Sequence, residues 1–259
     1  MKLPMRSMLG HPFRNSAYLM FQSPLVVRHK PALISFTFDD CPRSALWTGG
    51  AILRDVGATA TYYLSLGLLG QDSPSGPLMN RNDMDAALQQ GHELGCHTFS
   101  HLHSWRTDAK AFRESVLRNQ AALDEIIPGG RFRSFSYPIS EPSPLNKRAI
   151  SDQFLTCRSG GQRFNRGRAD RNQLSAYFLE MARGNLQEVR DLIDAANDAG
   201  GWIIFATHDI VPQPSRYGCT PSFLEAVARY AADSGARMLP VTHALDAILE
   251  RTELSAHTN

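Results

Sequence analysis

The sequence predicts an α/β fold built on a parallel sheet with crossover helices, and three observations carry that prediction. Short apolar, β-branched and aromatic runs alternate along the chain with longer segments whose apolar residues recur at helical spacing. Strands separated by helices pair in parallel, because a crossover of that length returns the chain to the same end of the sheet. Finally, Asp39, Asp40, His97 and His208 all stand just after the ends of predicted strands, the edge at which parallel sheets and barrels carry their chemistry.

The elements follow in order. Residues 32–38 form an apolar, β-branched and aromatic run that reads as a strand, and residues 45–56 place Ala45, Leu46, Ile52, Leu53 and Val56 at helical spacing before Gly57 stops the helix. Residues 59–65, rich in Thr and Tyr, read as a second strand. A Gly/Pro/Ser-rich loop over 67–77 and a helix over 82–90 come next, and a short strand over 93–96 delivers His97. The longest helix covers 108–127, with Phe112, Val116, Leu123 and Ile127 on one stripe and Pro128-Gly129-Gly130 to end it. A strand over 132–137, a cap and first turn at Ser143-Pro144 and a short strand over 154–157 precede a helix over 186–199. The apolar strand 202–207 delivers His208, Thr220-Pro221 opens a helix running to 234, and residues 238–241 lead into a last helix ending near 249. The strand count is about seven, short of a clean eightfold pattern.

Composition fits one globular enzyme-sized domain. With 259 residues, 42% hydrophobic and 20% charged, the chain can bury a substantial core, and a formal net charge of +2 gives no argument for nucleic acid or an anionic membrane surface. The four cysteines show no C-x-x-C spacing, so they are expected to be free thiols in a reducing compartment. The stretch Ser16-Ala17-Tyr18-Leu19-Met20-Phe21 is too short for a secretory apolar region and no membrane-spanning run exists, so a cytoplasmic location is expected. Residues 1–30 read as an extension that packs on the domain or covers part of the site, 31–250 as the domain itself, and 251–259 as a frayed polar tail.

The chemistry concentrates in four segments. Ile34-Ser35-Phe36-Thr37-Phe38-Asp39-Asp40 ends a buried-looking run in two adjacent carboxylates, which need a cation or a shared proton in a packed setting. His97-Thr98-Phe99-Ser100-His101 offers two imidazoles four residues apart, and one carboxylate with two histidines makes a facial metal-ligand set with positions open for water and substrate. Tyr137-Pro138 follows a strand-like run, and Ile203-Ile204-Phe205-Ala206-Thr207-His208-Asp209 lies near the end. H-T-F-S-H lacks the glutamate of a zincin motif, and the glycine-rich stretches lack nucleotide-binding spacing.

In that order and spacing these segments resemble the signature motifs of the polysaccharide deacetylase family, also called the NodB-homology or carbohydrate esterase family 4 group, over roughly residues 31–249. The resemblance implies a distorted (β/α)7 barrel and an amide hydrolase. It implies Asp39 as general base, Asp40, His97 and His101 as ligands of one divalent ion with zinc expected, and His208 as general acid toward the departing nitrogen. The cation would polarise the carbonyl and acidify water.

Two motifs depart from the family pattern. Ser136-Tyr137-Pro138-Ile139-Ser140 lacks the arginine that orients the base in many members, and Arg171-Asn172-Gln173-Leu174 lacks the tryptophan of the fourth motif. Arg158, just past the predicted strand, is either the replacement cation or an ordinary exposed arginine, and the backbone N–H of Tyr137 is a candidate oxyanion donor. Trp105 is either an apolar wall for an acetyl methyl or sugar face or a core residue, Asp209 is expected against the loop 212–219, and His92 is expected to cap or face solvent. Three functions remain open. The first is a deacetylase of an N-acetylated sugar or glycan precursor, and the second an amidohydrolase of a small non-carbohydrate amide, imide or formamide. The third is a catalytically silent glycan-binding protein, for which the missing arginine argues.

Overall fold

A computed structural model describes residues 16–256, with side chains to residue 251. Residues 1–15 of the expected extension and residues 257–259 of the expected tail lie outside the described residues. Nine strands form one parallel sheet: β1 (Leu33–Asp39), β2 (Ala60–Leu64), β3 (Glu93–Cys96), β4 (Ser134–Ser136), β5 (Thr156–Ser159), β6 (Leu174–Ser175), β7 (Tyr177–Phe178), β8 (Trp202–Thr207) and a short β9 (Arg237–Met238) that pairs with the start of β1 beside the main path. The order of the first eight across the sheet is β6-β5-β4-β3-β2-β1-β8-β7. The two edges therefore belong to one chain segment, since only Ala176 separates β6, paired with β5, from β7, paired with β8. The Ala176 N–H donates to Ser159 O at 3.1 Å and keeps the hand-over in register. Residues 174–178 thus serve both edges and nearly close the sheet into a distorted (β/α)7 barrel.

Side-chain alternation in β1 divides the two faces of the wall. Ile34, Phe36 and Phe38 pack outward into the large core with helical residues such as Leu53, Val116, Ile193 and Leu224. Ser35, Thr37 and Asp39 point to the other face, where hydrogen bonds replace apolar packing: Thr37 Oγ1 donates to Phe205 O at 2.8 Å and Trp202 Nε1 donates to Ser35 Oγ at 3.0 Å. At the N-terminal mouth the last helix, Val241–Ala256, has no side-chain cap of its own. The barrel supplies one: Thr61 Oγ1 accepts from Val241 N and Glu93 Oε2 accepts from Thr242 N, both at 3.0 Å. Leu25, Val27, Leu33, Trp202, Val241 and Leu245 seal that mouth as a second apolar cluster.

Several boundaries differ from the sequence reading for identifiable reasons. The helix expected over 45–56 opens as a π-helix, Ala45–Gly50, where Gly49 lets Phe38 and Ile210 approach; a Cβ there would lie 2.9 Å from the Phe38 ring. The loop 67–77 contains a two-residue hairpin, Asp72–Ser73 with Gly76–Pro77. Part of the expected extension belongs to the fold, because Pro24–Val27 pairs antiparallel with Gly167–Asp170. The fully buried Lys147 ammonium pins this region, donating to Ala17 O at 2.6 Å and to Asp170 Oδ2 at 2.5 Å. The last helix runs to Ala256 and not to 249, so residues 251–256 are helical and not a frayed tail. All four cysteines are buried and free. Among the described residues no helix is long and apolar enough to cross a membrane.

His92 is buried rather than solvent-facing, and it supplies a first prediction. Its Nδ1 accepts from Ala60 N at 3.0 Å, and its ring stands edge-on to Tyr62. Burial lowers its pKa from 6.5 to about 4. An unfolded chain therefore binds the proton first, so stability is full above about pH 6.5 and falls as pH drops toward 4, by up to about 3 kcal/mol. His92→Asn keeps an acceptor near Ala60 without the titration. Urea unfolding should show the gap between wild type and His92→Asn narrowing steadily from pH 7 to pH 4, and a constant gap would remove His92 from the acid response.

Candidate active site

At the C-terminal mouth of the barrel, β1 ends at Asp39 and the chain turns sharply, with Asp40 at φ 55° and Cys41 at φ 53°. Two successive non-glycine residues in the left-handed region are strained, and such strain concentrates at functional sites. The turn is held by Cys41 N donating to Asp39 O at 2.5 Å and by Cys41 Sγ donating to Tyr63 O at 3.1 Å. A second strained turn follows β3, where Thr98 and His101 have φ of 61° and 53°. Its Thr98 Oγ1 accepts from Leu102 N at 2.9 Å.

These turns bring Asp40, His97 and His101 together, with one ligand atom from each lying within 4.8 Å of the others. Asp40 Oδ1 is 3.7 Å from His97 Nε2 and 3.3 Å from His101 Nε2. His97 Nδ1 donates to Ser136 O at 2.7 Å, which leaves its Nε2 as a lone pair aimed at the carboxylate. Burial lowers the pKa of His97 to about 4, so the ring is neutral at pH 7. A lone pair facing a carboxylate oxygen that is itself buried without a hydrogen-bond partner is repulsive unless a cation lies between them. The donor set and its outer-shell carbonyl therefore fit a divalent ion.

Asp39 is buried beside this cluster, 3% exposed, and forms an ion pair with Arg158, whose Nη2 donates to Asp39 Oδ1. Burial alone would raise the Asp39 pKa, but Arg158, then His97 and His208, outweigh it and hold the carboxyl at about 2. The structure corrects the setting of Arg158: β5 begins two residues later than the sequence suggests, so the arginine lies within the strand, 1% exposed and with its guanidinium 4.9 Å from the centre of the Tyr63 ring. It is not an ordinary surface residue. His208 follows β8, with Nδ1 donating to Tyr217 O at 3.1 Å, which leaves Nε2 for the cavity. Asp209 faces away and secures the loop, accepting from Ser215 N at 2.7 Å and from Ser215 Oγ at 2.6 Å. Gly218 is required where that loop meets Asp209, since a Cβ would lie 2.3 Å from Asp209 O.

Asp39, Asp40, His97, His101 and His208 all line one cavity of about 830 Å³. Three expected residues do not: Arg158 reaches it only through its ion pair with Asp39, and Tyr137 and Trp105 are held elsewhere. The Tyr137 N–H is committed to Arg158 O at 3.1 Å by the pairing of β4 with β5, and its buried hydroxyl donates to Asn172 O at 3.3 Å, so it cannot serve as an oxyanion donor. The part of that turn reaching the cavity is Ile139–Glu141. Trp105 sits on a short 3-10 turn, Ser104–Arg106, away from the lining, so it forms no wall of the cavity. Conversely, Glu180 lines the cavity and was missed from the sequence. Its position just after β7 is the signal, but a two-residue strand is too short to register as periodicity.

Residues 27–153 match the model of the family described as Polysaccharide deacetylase. Solved structures resemble the chain over most of its length. A family 4 acetyl xylan esterase from Clostridium thermocellum, in complex with a cobalt ion, is 20% identical over 83% of this chain and 91% of that one, with a TM-score of 0.59. The peptidoglycan deacetylase PdaC from Bacillus subtilis is 18% identical over 87% and 95%, with a TM-score of 0.58. A family 4 pseudoenzyme from Bacillus anthracis is 14% identical over 83% and 66%, with a TM-score of 0.60. At these identities the likeness establishes the fold. A search of curated protein sequences gave no significant match.

Proposed function

Since residues 27–153 place this chain in the polysaccharide deacetylase family, we propose that it is a metal-dependent hydrolase that removes an N-acetyl group from an amino sugar or glycan precursor. The observation that carries the reading is the convergence of Asp40, His97 and His101 on one point, beside an ionised Asp39 and with His208 in the same cavity. A divalent ion held there, zinc in our reading, supplies Lewis acidity toward the acetyl carbonyl and lowers the pKa of water. Asp39, kept ionised by Arg158, takes a proton from the attacking water as general base. His208 approaches with Nε2 and, when protonated, gives a proton to the departing nitrogen, while Tyr217 O fixes its ring through Nδ1. The buried Arg158–Asp39 pair supports an active enzyme over a silent glycan-binding protein, because the orienting cation absent from the third motif is supplied from β5. An intracellular, reducing location is part of the same reading, supported by the four buried free thiols.

The test is acetate release from N-acetylglucosamine oligomers by zinc-loaded protein. Release from small amides, imides or formamides alone would move the reading to a non-carbohydrate amidohydrolase. His208 gives a sharper prediction. Protonation matters more for a poor leaving amine than for a good leaving phenol, so His208→Ala should lower amide hydrolysis by roughly 10²-fold or more and spare an activated aryl acetate, at unchanged metal content. Equal losses on both substrates would assign His208 to shaping the site.

A further inference from the structure

The rim of the catalytic cavity is apolar where it lies nearest the base. Phe178, at the end of β7, is fixed there by Gln162: its N–H donates to Gln162 Oε1 at 2.7 Å, and its carbonyl accepts from Gln162 Nε2 at 3.4 Å. The centre of its ring is 5.7 Å from the guanidinium carbon of Arg158, the partner of Asp39. Two further side chains extend this strip outward. Met181, on the 3-10 turn Leu179–Ala182 that follows β7, is 58% exposed, and Ile139 is 55% exposed. The turn that carries Ile139 adjoins Phe178, since a Cβ on Gly160 would lie 3.4 Å from Ser140 Cβ and 3.8 Å from Phe178 Cε2. All three residues line the cavity. Single exposed apolar side chains are ordinary on a protein surface, but Ile139 is held at a cost. It is β-branched and stands at φ 61°, in the left-handed region, where asparagine or glycine would be less strained. An isoleucine kept exposed in a strained turn, on the rim of the catalytic cavity, points to a contact with what enters that cavity. Among the described residues that line the cavity there is no lysine or arginine to pair with a phosphate or carboxylate, so the group that meets the strip is uncharged.

We propose that Ile139, Phe178 and Met181 form a subsite for an uncharged alkyl group carried beside the N-acetylated sugar ring, so that the preferred substrate is an amino sugar with an apolar aglycone. This rests on the deacetylase reading and deepens it from the acetamide to the substituent next to it. Each methylene removed from water strengthens binding by roughly fourfold, so two or three of them on the strip give about tenfold. The alkyl group does not take part in the reaction, and its contacts are equal in the ground state and the transition state. The preference therefore appears in KM and leaves kcat alone.

The experiment measures acetate release from the hexyl and the methyl glycoside of N-acetylglucosamine by zinc-loaded wild type and by the double variant Ile139→Asn with Met181→Gln. Both replacements are polar and of similar size, and asparagine tolerates the left-handed turn. Wild type should favour the hexyl glycoside by at least about tenfold in kcat/KM. In the double variant that ratio should fall to within about threefold of one, through a higher KM for the hexyl glycoside and at an unchanged kcat, with the same zinc content and a melting temperature no lower than that of wild type. No preference in wild type, a preference kept by the double variant, or an equal loss on both glycosides would each overturn the subsite while the deacetylase reading stands. A wild type that favours N-acetylglucosamine 1-phosphate over the hexyl glycoside would overturn the choice of an uncharged group. A zinc-loaded wild type that releases acetate from no acetylated amino sugar would overturn the deacetylase reading and the subsite together.

Discussion

Arg158→Met should abolish hydrolysis and destabilise the fold by about 3–5 kcal/mol, because it leaves the Asp39 carboxylate buried and uncompensated. The expectation follows from placement: Arg158 has a side chain 0% exposed and Asp39 one that is 4% exposed, so neither charge can turn to water when its partner is lost. The reverse substitution, Asp39→Asn, should lower the rate by about 10²–10⁴-fold, the usual contribution of a positioned base. It should also destabilise, since Arg158 Nε and Nη1 already lack hydrogen-bond partners and the cation would then lose its carboxylate. Replacing both residues removes both buried charges, so Asp39→Asn with Arg158→Met should recover most of the stability and none of the activity. Urea unfolding of the four proteins checks this, and additive losses in the double variant would show that the pair is not one electrostatic unit. The pair also sets an acid limit. The Asp39 pKa is depressed to about 2, so its stabilisation is complete above about pH 4 and is lost as pH falls toward 2.

The second large effect concerns the metal ligands. His101→Ala and His97→Ala should each weaken zinc binding by more than the 10- to 100-fold that follows loss of an outer-shell partner, because each removes a donor atom outright. Activity should fall with occupancy, and the double variant should bind no stoichiometric zinc. Asp40→Asn should likewise weaken binding, in contrast to Asp39→Asn, which should keep the metal and lose the rate. The two aspartates adjoin in sequence but face different tasks, since Asp39 lies under Arg158 and Asp40 is swung by its positive φ toward the imidazoles. If Asp39→Asn lost zinc and Asp40→Asn kept it, the two roles would have to be exchanged.

What the sequence made legible depended on whether the signal was local. β1, β2, β3 and β8 were readable because apolar runs end abruptly in polar residues, and the motifs resembling a known family marked Asp39, Asp40, His97, His101 and His208. The sequence places the start of β5 two residues early, on Phe154, because Thr156-Cys157-Arg158-Ser159 is mostly polar; the barrel interior there is lined by hydrogen-bonding groups, so hydrophobic periodicity fails. Tyr137 reads as a free donor in the sequence because its partner, Arg158 O, is fixed by the pairing of two strands, which no local pattern encodes. Pro24–Val27 reads as part of an extension for the same reason: its partner strand, Gly167–Asp170, lies far along the chain. Glu180 was missed because segment 174–178 closes the barrel through two strands of two residues each.

The most direct test of the account is a zinc titration of metal-free protein, following bound metal and acetate release from N-acetylglucosamine oligomers together in wild type, Asp39→Asn and the His97→Ala/His101→Ala double variant. One equivalent of zinc should switch on wild-type activity, the same equivalent should bind Asp39→Asn and leave it at least about 10²-fold slower, and the double variant should neither bind nor react. Full activity in metal-free wild type, or stoichiometric zinc in the double variant, would contradict the metal-dependent mechanism built on Asp40, His97 and His101.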